Sequence, residues 1–173
     1  LNIQGVPSIF NNTELIHSGK ISLINLLEKL EEKFGKNNIA VHPKETISTD
    51  VVVIGGGPAG VSSAIYTSRK GLHTTLISDR IGGQLQDTKG IENMISMKYT
   101  EGKELSNSLN NHMSDYDINI LEHRRVEKIK DGKLKNLYLS SGEKVQSKAI
   151  IIATGAEWKM LGVEGEKKYN GRG

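Results

Sequence analysis

Val51-Val52-Val53-Ile54-Gly55-Gly56-Gly57-Pro58-Ala59-Gly60 is the most informative run of residues in this chain. Val51 to Ile54 form a continuous β-branched run, the pattern of a strand buried on both faces. Gly55-x-Gly57-x-x-Gly60 breaks that strand, and Pro58 suits the first helical position, where its missing N–H costs nothing. The helix is predicted from Pro58 to about Lys70, with Gly71 as its stop. Thr74-Thr75-Leu76-Ile77 then reads as a second strand. A glycine-rich turn alone carries little information. Set between a buried strand and a helix, in a unit of fewer than about 30 residues, it marks a βαβ dinucleotide-binding motif.

Each glycine meets a separate physical demand. Gly55 permits the tight turn, Gly57 admits phosphate oxygens to the backbone, and Gly60 lets helix and strand pack closely. The helix start, with Pro58 and Ala59, presents free N–H groups and partial positive charge to a pyrophosphate. The acidic partner of the ribose hydroxyls belongs at the end of the second strand, where Asp79 stands 19 residues after Gly60. This much fits FAD and NAD(H) equally, since both contain ADP.

Upstream, residues 1–34 form a separate unit. Pro7 to Phe10 and Glu14 to Ile16 read as short strands around an Asn11-Asn12-Thr13 turn. Ser22 is the expected N-cap of a helix through Lys33, whose Ile24, Leu27, Leu30 and Phe34 stripe is expected to pack on those strands. Residues 35–49 are polar, contain Pro43, lack a period and read as a linker. Downstream, Ile81 to Met97 reads as irregular, Glu101 to Ser114 as a helix and Asp117 to Leu121 as a third parallel strand. Val126 to Ile129, Leu134 to Leu139 and Lys144-Val145, separated by Asp131-Gly132 and Ser141-Gly142, signal a small antiparallel meander. Ala149 to Ala153 is another apolar strand, closed by Thr154-Gly155. The expected class is α/β: a Rossmann-like parallel sheet with a meander, over residues 50–173.

Composition narrows the function classes. The 173 residues are 36% hydrophobic and 25% charged, as in globular proteins. The net charge of +3 comes from 23 basic and 20 acidic residues, interspersed without a basic run, which argues against nucleic acid as a partner. No apolar run reaches the length of a membrane span, and the start is no signal peptide, so a cytoplasmic setting is expected. There is no cysteine, hence no thiol chemistry in these residues. His17, His42, His73, His112 and His123 are scattered without metal-ligand spacing. Gly-x-Ser-x-Gly and P-loop patterns are absent, and no catalytic residue or metal site is assigned.

Four ordered segments carry a resemblance: GGGPAG, then Gly82-Gly83-Gln84-Leu85, then Ile91-Glu92-Asn93, then Ala153-Thr154-Gly155-Ala156. Together the set resembles the thioredoxin-reductase-like flavoprotein disulfide reductases. The likeness implies FAD as cofactor. Gly83 and Gln84 would contact the ribityl and flavin region with Asn93 nearby, Ala153 to Gly155 would close over the cofactor, and Val126 would lie near the adenine. Thr100 to Lys103, Tyr116-Asp117, Gly155 to Trp158 and Gly5 to Phe10 look in particular like the hydroperoxide-reductase flavoproteins, in which the leading unit is the end of a thioredoxin-like fold. Met94 and Glu164 depart from the expected pattern, where an aromatic and a proline are usual.

In that group NAD(P)H reduces FAD, which reduces a Cys-x-x-Cys pair; electrons pass through a second pair to a peroxiredoxin partner. The resemblance implies a homodimeric parent, with one pair just beyond Gly173 and the other before Leu1. It also implies a nicotinamide domain outside these residues. Leu1 in place of Met and the terminal Gly171-Arg172-Gly173 fit a piece of a longer chain. A thioredoxin reductase is the alternative, which residues 1–34 disfavour; a plain NAD(P)-binding Rossmann module is the alternative of another class.

Overall fold

The computed structural model describes residues 7–35, 46–156 and 162–163. Strands β1 (Ser8–Asn11) and β2 (Glu14–Ser18) form an antiparallel hairpin turned at Asn12 (φ 54°), followed by helix α1 (Leu23–Phe34). Ser22 caps α1 as expected, its hydroxyl accepting from the Asn25 N–H at 3.2 Å. The apolar stripe departs from expectation. Ile24 is buried, but Leu27 and Phe34 are 50% and 54% exposed. The helix meets β2 through polar ends instead, with Lys29 on His17 and Lys33 on Glu14.

Six strands build the main sheet: β3 (Thr46–Ile54), β4 (Thr74–Ser78), β7 (Ile118–Glu122), β8 (Val126–Lys130), β9 (Lys135–Leu139) and β10 (Lys144–Ile152). The small β5 (Gly90–Ile91) and β6 (Thr100–Glu101) pair apart from it. In the order β7-β4-β3-β10-β9-β8, the first four strands run parallel and the last three form an antiparallel meander. The expected parallel sheet and meander are therefore one mixed sheet. Helix α2 (Pro58–Arg69) connects β3 to β4, and α3 (Gly102–Ser114) precedes β7.

Three boundaries differ from the sequence reading. Strand β3 begins at Thr46, inside the expected linker, because Thr46 to Thr49 pair with Lys144 to Ser147. For the same reason Lys144-Val145 and Ala149 to Ile152 are one nine-residue strand, β10, rather than two. Its first half pairs with both β9 and β3, so polar residues there still satisfy their backbone groups. The stretch read as irregular after Ile81 contains a 3-10 helix, Gly83–Asp87, and β5. Residues 36–45 and Trp158 lie outside the described residues.

The β-branched run behaves as its composition demands. Val51 and Val53 join Val61, Ala64 and Ile65 of α2 with Leu76 and Met113 in a core under the helices. Val52, of opposite parity, packs with Ile77, Leu137, Leu139 and Val145 on the other face. Burying each such side chain contributes about 1.5–3 kcal/mol. The two layers fix the carboxyl ends of β3, β4 and β10 relative to one another.

Candidate functional site

Strand β3 has β4 on one side and β10 on the other, so the crevice at its carboxyl end is the topological switch point where open α/β sheets bind ligands. The glycine turn lies there. Gly55 has φ +117°, and a Cβ on it would run into the Ala153 carbonyl at the end of β10. Its N–H bonds Ile77 O at 2.8 Å while Ala153 N–H bonds Ile54 O at 2.8 Å, pinning three strand ends together. A Cβ on Gly60 would strike the Gly55 carbonyl, so glycine is required for α2 to seat against β3.

Gly57 differs from its neighbours. As N-cap of α2 it has ordinary extended geometry, and a Cβ there would meet nothing within 4 Å. Among the described residues no side chain caps the helix. Pro58 and Ala59 are exposed beside it. The first turn thus offers its N–H groups and roughly half an elementary charge to open space. Gly83 (φ +54°) faces this opening, with its Cβ position 3.5 Å from Gly57 Cα. The Gly82 N–H to Gly56 O bond of 2.7 Å ties the two glycine loops together.

Asp79 follows β4 directly, at the same edge. Its Oδ1 is buried and has no hydrogen-bond partner among the described residues, whereas Oδ2 lies 3.7 Å from an Arg125 guanidinium nitrogen. A buried carboxylate oxygen without a donor costs about 1–3 kcal/mol or more, so it marks a place for one. The segment before Val126 is laced to the same edge: His123 N–H bonds Asp79 O at 3.2 Å and Arg124 N–H bonds Ser78 O at 3.1 Å. Val126, half-buried, opens β8 beside it.

The remaining expected residues fare differently. Gln84 opens outward on the 3-10 helix, and its amide donates to the Ala156 carbonyl. It therefore links the second glycine loop to the Ala153-Thr154-Gly155 turn, in which Gly155 has φ +72°. Asn93 sits in an exposed segment after β5, and among the described residues no hydrogen bond joins it to the glycine loops. Sequence reasoning missed Arg125 and Ser78. Ser78 Oγ bonds Arg80 O at 2.8 Å under Gly56, a small buried residue that only the packing reveals. Arg125 adjoins Val126, and its charge beside an expected adenine contact was the available signal.

An uncapped helix start, an open N-cap Cα and an orphaned carboxylate oxygen on the adjacent strand fit an anionic pyrophosphate flanked by a ribose. Residues 49–173 match the family model described as pyridine nucleotide-disulphide oxidoreductase. The chain belongs to that family. A flavin and a nicotinamide dinucleotide are what membership implies, and the residues above are suited to the ADP half that both share.

Similar proteins include an alkyl hydroperoxide reductase subunit of Staphylococcus aureus (strain N315), 41% identical over 99% of this chain and 33% of that protein. An NADH dehydrogenase of Bacillus subtilis (strain 168) is 40% identical over 99% of the chain and 33% of its own length. The chain thus spans about a third of the curated relatives it matches. Among solved structures, the thioredoxin reductase of Lactococcus lactis superposes with a TM-score of 0.66 at 35% identity, covering 72% of this chain and 41% of that one. Among the described residues no helix is long and apolar enough to cross a membrane.

Proposed function

We propose that this chain is the FAD-binding portion of an NAD(P)H-dependent flavoprotein disulfide reductase of the hydroperoxide-reductase type. Its dithiols would deliver electrons to a peroxiredoxin. The orphaned Asp79 carboxylate oxygen beside the uncapped start of α2 carries the dinucleotide reading. FAD in particular rests on the Gly82-Gly83-Gln84 loop, linked through Gln84 to Ala156, which resembles the flavin-lining segments of the thioredoxin-reductase-like flavoproteins. The subgroup rests on residues 1–34, which resemble the end of a thioredoxin-like fold: the alkyl hydroperoxide reductase of Staphylococcus aureus matches over 99% of the chain, and the thioredoxin reductase of Lactococcus lactis covers 72%. In this reading β1, β2 and α1 are the last part of a thioredoxin-like fold.

When bound, FAD supplies two-electron transfer between a nicotinamide and a disulfide. The chain's own residues bind and orient it. The N–H groups at the start of α2 and the open Cα of Gly57 would receive the pyrophosphate. Asp79 would accept the ribose hydroxyls, and the Gly83 and Thr154-Gly155 backbones would flank the ribityl chain. Gln84, by holding Ala156, keeps those two loops together. The 173 residues hold no cysteine, so the reacting thiols lie outside them.

The expected result is yellow protein, with flavin absorbance retained through purification of the full-length parent. Tight NADH binding by a colourless protein defeats the FAD reading in favour of a plain Rossmann module. A second reading is supported by the NADH dehydrogenase of Bacillus subtilis, as similar as the hydroperoxide reductases. The two separate on the acceptor. NADH oxidation accelerated by a peroxiredoxin plus a hydroperoxide supports our reading; turnover unaffected by peroxiredoxin supports the other.

A further inference from the structure

Arg125 stands between two units of the molecule. Its Nη1 donates to Glu28 Oε1 at 2.8 Å and its Nη2 to Asn25 Oδ1 at 3.3 Å, both on α1. The same Nη2 lies 3.7 Å from Asp79 Oδ2. The backbone around it is fixed: Ser140 N–H bonds Arg125 O at 2.9 Å, while His123 and Arg124 bond the carbonyls of Asp79 and Ser78. Arg124 is occupied elsewhere, on Glu143 at 3.1 Å. Arg125 is thus the guanidinium held beside the Asp79 carboxylate, and α1 is what grips its other edge.

Two oxygens of one carboxylate therefore have different fates. Oδ2 faces Arg125, and Oδ1 is buried with no donor among the described residues. A charge holding one oxygen limits rotation about the carboxylate's χ2 and keeps the other aimed at the site. Without Arg125, α1 would bring the negative Glu28 toward the negative Asp79, at a place meant for an anionic dinucleotide.

We infer that Arg125 is a positioning residue for Asp79, held in place by Asn25 and Glu28, so that helix α1 of the leading unit forms the outer layer of the ribose site. The inference rests on the reading of Asp79 as the ribose acceptor. It assigns to residues 1–34 a second role, in cofactor binding, besides any role in passing electrons.

The test is calorimetric binding of ADP and of 2′,3′-dideoxy-ADP to the flavin-free full-length protein. Arg125→Gln is expected to weaken ADP about threefold to fivefold, since the pair is partly exposed. It leaves the dideoxy analogue unchanged, because no hydroxyls remain for Asp79 to hold. Equal weakening of both ligands means a diffuse charge effect and overturns the inference, as does no weakening of either. Arg125→Lys is expected to restore part of the loss. Glu28→Gln is expected to weaken ADP less than Arg125→Gln, and to add nothing in the double variant, because it acts through Arg125; additive losses overturn the role of α1. A wild-type protein that binds ADP and its dideoxy analogue equally well instead sinks the Asp79 reading itself.

Discussion

The two ends of the central sheet carry aspartates that have opposite lives. At the amino end Asp50, on β3, is wholly engaged: Oδ1 takes Lys148 Nζ at 2.7 Å and Oδ2 takes the His73 N–H at 2.9 Å. Its carbonyl also receives the Ser147 hydroxyl at 3.0 Å, and Thr49 Oγ1 donates to His73 O at 2.7 Å. Strands β3, β4 and β10 are stitched there into a closed network. At the carboxyl end Asp79 keeps a buried oxygen without a partner among the described residues, beside a helix start that no described side chain caps. One end commits its polar groups to the fold, and the other leaves them open. A polar group left unpaired inside a well-packed molecule calls for an explanation, and beside an open helix start a bound anion-bearing ligand supplies one.

The hardest blow to the open end falls at Gly57. Gly57→Val should lower FAD affinity at least about 100-fold, or about 3 kcal/mol, by setting a branched side chain where the pyrophosphate approaches. Thermal unfolding of the apo protein should barely move, since a Cβ there meets nothing within 4 Å. Unchanged flavin retention would show that the phosphate site is elsewhere.

Gly60→Val reverses the pattern. Its side chain must push into the Gly55 carbonyl, so the apo protein should lose about 2 kcal/mol of stability, read as a lower denaturation midpoint. A stable variant would mean that α2 and β3 can part without cost.

Asp79→Asn probes the two aspartates from the other side. ADP affinity should fall about tenfold, about 1.4 kcal/mol, as charge-assisted acceptance of ribose hydroxyls is lost. Apo stability should hold or rise, because the partly buried negative charge is removed and the amide keeps its shape. A large loss of apo stability would place Asp79 with Asp50 as a structural residue.

The least change is expected at Asp50. Its carboxyl is held below the ordinary value of 3.8, first by the Lys148 hydrogen bond and then by the His73 N–H. A lowered folded value means stability present above the unfolded carboxyl value and lost as pH falls through the folded one. Asp50→Asn should therefore be slightly less stable than wild type near neutrality and converge with it as the pH falls through the lowered folded value of Asp50. ADP affinity should not change. A gap in melting temperature that persists into acid would show that the carboxylate's charge is not what Lys148 and His73 engage.

Much of this was legible in the residues themselves. The run Val51 to Ile54, the glycines at 55, 57 and 60, and the Ser22 cap act over a few positions, through sterics and local hydrogen bonds. Such effects appear in any window of sequence. The polar half of β10 was less legible. Lys144 to Ser147 have no apolar run, and they become strand only because β3 and β9 both pair with them. Asn93, exposed after β5, is assigned to the cofactor by its segment's resemblance alone, because no local rule of sequence sets it apart.

That a strand ends in a glycine turn and restarts as a helix follows from residues 51–60 alone, because Cβ clashes and helix termini are local physics. Which acceptor is left open, and which side chain guards it, emerges only once the chain is folded. Asp50 and Asp79 both follow or join β-prone residues, and no local rule tells them apart. The distinction comes from Lys148, 98 positions away from Asp50, and from Arg125 gripped by Glu28, 97 positions before it. Those partners meet because strand register brings distant residues together, and pairing at that range is set by the packed core.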